Sequence, residues 1–189
     1  MSKLYRVLVV DDEPKAHDTV RTVVDEEFDG EVEIELTHLD SFDEAEASLA
    51  SPAAQFDLVV LDVMDNGPVG GSSGRTRGPD LYSRIRAIRW VPVIFFTAIK
   101  EDLGFRAEPP LRSIVGKDES QDLGGAIRAA LESNAAGIAR ELVETLDREA
   151  RMFLDKNLAP NWEAYTQHEP TSLRRILISR LAAWLRDWE

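Results

Sequence analysis

Three carboxylates, a hydroxyl and a lysine each stand where a short apolar run ends. Asp62 closes Phe56-Asp57-Leu58-Val59-Val60-Leu61-Asp62, and Asp11 and Asp12 close Val7-Leu8-Val9-Val10. Thr97 follows Val91 to Phe96, and Lys117 follows the weaker run from Leu111 to Val115 with Gly116 between. Runs this short and rich in Val and Leu read as strands buried on both faces, as in a parallel sheet. Side chains at the carboxyl ends of such strands converge on one crevice of an open α/β sheet. Three carboxylates packed together repel one another and call for a cation. An oxygen-only set suits Mg²⁺, a hard ion that keeps several of its waters. Lys117 can offset the remaining negative charge, and Thr97 can donate a hydrogen bond. These are the means of moving a phosphoryl group onto a carboxylate, a reaction that needs positioning and charge neutralisation.

The elements that must hold these residues alternate strand and helix. After Asp11-Asp12-Glu13, Pro14 suits the first turn of a helix with Val20, Val23, Val24 and Phe28 on one side and Gly30 at its stop. Residues 31–36 alternate Glu and apolar, the mark of an edge strand with one wet face. Ser41 and Glu44 form a capping box before a helix with Phe42, Ala45 and Leu49 inward, which stops near Ser51-Pro52. The stretch from about Met64 to Gly78 reads as a loop next to the Asp62 strand, whose Gly-rich part from Asn66 to Gly78 is expected to be mobile and partly to cover the site. Pro79-Asp80 opens a helix with Leu81, Ile85 and Ile88 inward and Arg84, Arg86 and Arg89 outward. Only a short helix fits between Ile99 and Phe105 before Pro109-Pro110. This order predicts an α/β fold, a doubly wound five-stranded parallel sheet, with right-handed crossovers. From Ser120 onward no strand is expected. One long helical pattern runs from about Gln121 to Asn157 through Ile127, Leu131, Ile138, Leu142, Leu146 and Phe153. Asn157 to Pro170 is irregular, and a final amphipathic helix starts at Thr171 with Leu173, Ile176, Leu177, Leu181, Trp184, Leu185 and Trp188 on one broad face.

Val7 to Glu13, Asp57 to Asp62, Val93 to Ala98 and Lys117 together resemble the response-regulator receiver domain of two-component signalling. The resemblance covers residues 3 to about 132 and implies a flavodoxin-like sheet in the order 2-1-3-4-5, an order the family itself exemplifies. It implies that Asp62 is the phosphoacceptor, that Asp12 binds Mg²⁺ directly and Asp11 through water, and that the carbonyl of Met64 completes the protein ligands. Lys117 would contact the phosphoryl group, and Thr97 would swing toward it. The implied partner is a histidine kinase or phosphotransfer protein. Four departures stand out: a longer loop after Asp62, Asp118 where the family has proline, Ile114 where it has an aromatic residue, and a stunted fourth helix.

The resemblance divides the chain into a receiver domain, 1–132, and an α-helical C-terminal extension, 133–189, for output or assembly. The extension's broad apolar face needs cover from the long helix or from a second copy, so a homodimer through the C-terminal helices is expected. At 189 residues with no Cys, the chain has no disulfide and no thiolate metal site. It carries 22 acids against 13 bases in residues 1–117 and 13 against 9 in 118–189, for a net charge of -13. That balance disfavours nucleic-acid binding, which leaves a basic footprint. No apolar run reaches the ~18 residues of a membrane span, and the reading is a soluble cytoplasmic protein. The chemistry expected is no more than self-catalysed phosphoryl transfer and dephosphorylation. Two other readings remain: a pseudo-receiver acting as a constitutive protein-binding module, and a metal-dependent phosphohydrolase, which would need an extra acid or base near Asp62, a part for which the sequence offers Asp65 alone.

Overall fold

The computed structural model describes residues 3–51, 54–65, 75–100, 103–163 and, near the end, 175, 178–180, 182–183 and 186. The chain forms two compact units, Met1–Ala139 and Arg140–Glu189.

The first unit is a doubly wound α/β sandwich. Its strands are β1 (Leu4–Val10), β2 (Glu33–Leu39), β3 (Leu58–Leu61), the short β4 (Met64–Asp65) and β5 (Arg75–Thr76), then β6 (Val93–Thr97) and β7 (Arg112–Gly116). Its helices are α1 (Pro14–Phe28), α2 (Phe42–Ala50), α3 (Gly78–Ile88) and α4 (Gln121–Glu132), followed by α5 (Ala135–Phe153). Five strands form one parallel sheet in the order β2-β1-β3-β6-β7. Counted among those five alone, that is 2-1-3-4-5.

Alternation along the central strands explains the two winding directions. Val7, Val9, Leu58, Val60, Ile94 and Phe96 point to one face, where Val20, Val24 and Phe28 of α1 and Leu123, Ile127 and Leu131 of α4 cover them. Leu8, Val10, Val59, Leu61, Val93 and Phe95 point to the other, under Phe42 and Leu49 of α2 and Leu81 and Ile85 of α3. Residues of both faces are fully buried, so each is worth roughly 1.5–3 kcal/mol against exposure and the central strands have no wet side. β2 lies at the edge and exposes Glu33 and Glu35, which discourage further strand pairing.

Local chemistry sets the ends of the elements. Pro14 opens α1, and Asp29 (φ 37°) and Gly30 (φ 77°) close it in the left-handed region. The Ser41 hydroxyl accepts the Glu44 amide at 3.4 Å, capping α2.

Five details differ from the sequence reading. The edge strand runs over 33–39 rather than 31–36, because Glu31 is spent on the turn that ends α1, its amide bonding the Phe28 carbonyl at 2.7 Å. The expected loop after Asp62 has a paired neck: β4 and β5 are antiparallel, with Met64 opposite Thr76 and Asp65 opposite Arg75. Arg89 is not outward; its guanidinium donates to the carbonyls of Ser51 and Ala54 and ties the end of α3 to the stretch before β3. No described residue between Thr97 and Arg112 is helical. Instead Gly104 turns at φ 69°, and Phe105 packs 4.8 Å from Phe95 and 5.4 Å from Tyr82, covering the sheet where a helix was expected. Finally, the long helix is two. Asn134 stands at φ 52° between α4 and α5, and the Ser133 hydroxyl accepts the Ala135 amide at 3.2 Å. Asn, like Asp, tolerates the left-handed region better than other side chains with a β-carbon, so the break needs no glycine.

In the second unit α5 passes through a π turn (Leu154–Leu158) into a 3₁₀ turn (Ala159–Asn161). Leu142, Val143 and Leu146 of α5 are exposed, and Arg151 pairs with Asp147 at 2.8 Å. The covering role expected of residues 66–74 lies outside the described residues, as do Leu173, Ile176, Leu177, Leu181, Trp184, Leu185 and Trp188 of the final amphipathic stretch. Among the described residues no helix is long and apolar enough to cross a membrane.

Candidate functional site

Strand register brings the candidate residues to one edge. Val10 is opposite Leu61, so Asp11 and Asp62 leave adjacent strands side by side. The backbone continues that pairing one step further, with the Asp62 amide on the Val10 carbonyl at 2.9 Å. Thr97 is opposite Gly116, so Lys117 departs immediately beyond it. The side chains of Asp11, Asp12 and Asp62 each offer an oxygen, and these lie within 4.8 Å of one another. Asp11 and Asp62 are buried, at 2% and 4% exposure, and Asp12 is half-buried.

Lys117 holds this cluster together. Its Nζ lies 2.9 Å from Asp11 Oδ2, 3.0 Å from Asp62 Oδ2 and 3.1 Å from Glu13 Oε2. The three donors of one ammonium thus have three carboxylate partners. Backbone amides satisfy the other oxygens: Val63 donates to Asp62 Oδ1 at 2.6 Å and Glu13 to Asp11 Oδ1 at 2.9 Å. The Lys117–Asp118 bond is not cis; among the described residues the cis bond is Pro109–Pro110. Lys117 opens a 3₁₀ turn, Lys117–Glu119, which aims its side chain back over the strand ends.

Burial pushes the Asp11 carboxyl up to about 6, and the charge of Asp62 adds to the rise; the hydrogen bonds from Lys117 and the Glu13 amide hold it down. For Lys117, burial works against the charged form. The Asp11 hydrogen bond and the charges of Asp62 and Asp11 outweigh it and hold the ammonium above its ordinary range.

Thr97 is fully buried, and its hydroxyl oxygen accepts the Ile99 amide at 3.2 Å. Met64 opens β4 two residues beyond Asp62, with its partly buried side chain packed against the core on the face of the sheet that α2 and α3 cover. The cluster therefore consists of Asp11, Asp12, Asp62 and Lys117. Thr97 stands at the next strand end, and Met64 stands on the chain leaving Asp62.

Its donor set fits a hard divalent cation. The three carboxylates converge and offer oxygen alone, the ligand type that Mg²⁺ takes. Soft metals would require sulfur or imidazole, and neither is present among these residues.

Two participants escape a reading by residue type. Glu13 reaches Lys117 with its side chain and Asp11 with its amide. The signal for it was its place directly after two acids at a helix N-cap, a position that favours shorter polar side chains. Gly78 packs against the Asp62–Val63 backbone so closely that a Cβ there would lie 2.7 Å from Val63 Cα. Only the fold reveals that approach.

No family profile matches the chain, and no curated protein matches it. Solved structures do. A CheY-like response regulator receiver domain protein from Methanospirillum hungatei JF-1 is 20% identical at a TM-score of 0.49, covering 70% of this chain and 97% of that one. A response regulator from Hahella chejuensis is 24% identical at a TM-score of 0.45, covering 69% of this chain and 94% of that one. A receiver domain protein from Clostridium thermocellum is 20% identical at 0.46, covering 68% and 95%. Independently of these distant likenesses, the strand order gives the first unit a flavodoxin-like fold, with its acid cluster at the carboxyl edge of the sheet.

Proposed function

We propose that this chain is a phosphorylation-controlled response regulator in which Asp62 accepts a phosphoryl group from a histidine kinase or phosphotransfer protein. The observation that carries the reading is Lys117 bridging Asp11 and Asp62 at 2.9 and 3.0 Å beside Asp12. An Asp62 oxygen attacks the phosphorus of a phosphoimidazole, the O–P bond of an acyl phosphate forms, and the P–N bond breaks with the imidazole leaving. Asp11, Asp12 and Asp62, with the Met64 carbonyl, would hold Mg²⁺, which neutralises the oxygens of the transferring group when bound. Lys117 stays beside Asp62 and meets the charge that the phosphoryl group brings. Thr97 donates its hydroxyl hydrogen to that group while its oxygen keeps the Ile99 amide. The chemistry is confined to the chain's own aspartate, in the cytoplasm, with no separate substrate turned over.

The second unit carries output or assembly. Exposed Leu142, Val143 and Leu146 support pairing of two copies through the C-terminal helices. The net charge of -13 disfavours nucleic acid as its target.

Acetyl phosphate with Mg²⁺ should add one phosphoryl mass to the intact chain, and Asp62→Asn should abolish the addition. Labelling that persists in the variant overturns the assignment. Light scattering of the full chain, with and without acetyl phosphate, tests the pairing: a monomer under both conditions refutes it.

A further inference from the structure

Glu13 is the N-cap residue of α1, yet its side chain makes no capping hydrogen bond. It reaches across instead to Lys117, 3.1 Å from Nζ, while its own backbone amide donates to Asp11 Oδ1 at 2.9 Å. One residue therefore holds both halves of the Lys117–Asp11 pair. Its carboxylate is 55% exposed, whereas those of Asp11 and Asp62 are 3% and 4% exposed. Of the three acids sharing the ammonium, Glu13 alone lies outside the group of carboxylates that converge within 4.8 Å.

A divalent cation at that group, reached by the Asp11 carboxylate directly or through a water, would draw on that carboxylate and repel the ammonium bound to it. Lys117 then has to give up its 2.9 Å contact with Asp11 Oδ2 and find another anion without leaving Asp62. Glu13 is already in place for that. We propose that Glu13 is a positioning residue: it holds Lys117 at the mouth of the site, so that Asp11 can be surrendered to a divalent cation while Lys117 remains on Asp62. The inference rests on reading the acid cluster as a cation site and not on which donor phosphorylates it. Glu13 acts through Lys117 and does not itself ligate the cation.

The test is a double-mutant cycle on the full-length protein, with Mg²⁺ affinity measured by titration calorimetry in the parent, Glu13→Gln, Lys117→Met and the double variant. Glu13→Gln keeps the shape and loses the charge. It should weaken Mg²⁺ binding by about threefold to tenfold, the range of one exposed-to-half-buried charge interaction. In the Lys117→Met background the same substitution should change affinity by less than twofold. An equal loss in both backgrounds would mean that Glu13 acts on the cation through space or on the fold, and would overturn the proposal. A parent that binds no Mg²⁺ would overturn it too. Acetyl phosphate labelling of the same four proteins separates this from the proposed function. Coupling without any labelling at Asp62 leaves Glu13 its role and removes the phosphoacceptor. Labelling without coupling does the reverse.

Discussion

Gly78 lies so close to Asp62 that the carbonyl oxygen of Asp62 and Val63 Cα occupy the space a side chain would need. The amides of Arg77 and Gly78 both donate to the Val63 carbonyl at 3.0 Å, so α3 begins directly against the chain leaving the candidate phosphoacceptor. A β-carbon here must push one backbone away from the other. Gly78→Ala should destabilise the protein by about 1–3 kcal/mol, the usual cost of overpacking, and should also lower the rate of labelling by acetyl phosphate. Denaturant unfolding reads the first effect and intact mass against time the second. A variant as stable as the parent would mean that α3 yields freely.

The pH dependence follows from Asp11, whose carboxyl is raised from 3.8 to about 6. Between those values the folded protein keeps a proton that the unfolded chain has lost. Stability from this group is therefore present below pH 3.8, falls as pH rises through the window, and is flat above about 6. Mg²⁺ affinity runs the other way, because the carboxylate must be deprotonated to bind. Calorimetry should find tighter binding at pH 7 than at pH 5, with proton release at pH 5. Asp11→Asn should bind weakly at both pH values, with the difference between them removed. An affinity in the parent that does not change with pH would contradict this.

Phe105 does the covering expected of a helix. It packs with Phe95 and Tyr82, and the Arg112 guanidinium lies 4.7 Å above its ring. Truncating a packed aromatic costs about 3–5 kcal/mol when fully buried, and Phe105 is partly buried. Phe105→Ala should therefore cost about 2–3 kcal/mol, at or just below the lower end of that scale. Phe105→Leu should recover at least half of the loss. A loss well under 1 kcal/mol would show that the bends after Thr97 are held by other contacts.

Asn134 holds its left-handed conformation between two helices, and its side-chain oxygen accepts Lys3 Nζ at 3.1 Å. Asn134→Gly should be close to neutral, and Asn134→Ala should cost about 1–2 kcal/mol. Urea midpoints of the two variants decide this. An alanine variant as stable as the glycine one would point to a continuous helix in solution.

The central strands were legible because they are buried on both faces, as in the four-residue run Leu58 to Leu61, and the edge strand because its Glu and apolar residues alternate. Asp11, Asp12, Asp62, Thr97 and Lys117 were visible for the same reason, as polar residues that end such runs. The helix break at Asn134 was hidden because the apolar spacing from Ile127 and Leu131 resumes at Ile138 and Leu142, and spacing does not register one residue of positive φ. Arg89 looked like its neighbours Arg84 and Arg86 on a charged face; its carbonyl partners, Ser51 and Ala54, lie more than 30 positions away in sequence. The roles of Glu13 and Gly78 depend on backbone approach across elements, which residue type alone does not encode.

The paired neck at Met64–Asp65 and Arg75–Thr76, with both following amides on the Val63 carbonyl, has an evolutionary consequence. It fixes where the chain leaves Asp62 and where α3 begins, whatever number of residues joins the two sides. Lengthening a closed loop twofold costs only about 0.6 kcal/mol of closure entropy. Insertions and deletions between the two sides of the neck can accumulate with little selection from the fold. A foreign peptide grafted between Asp65 and Arg75 should leave the neck, and the backbone it anchors next to Asp62, in place.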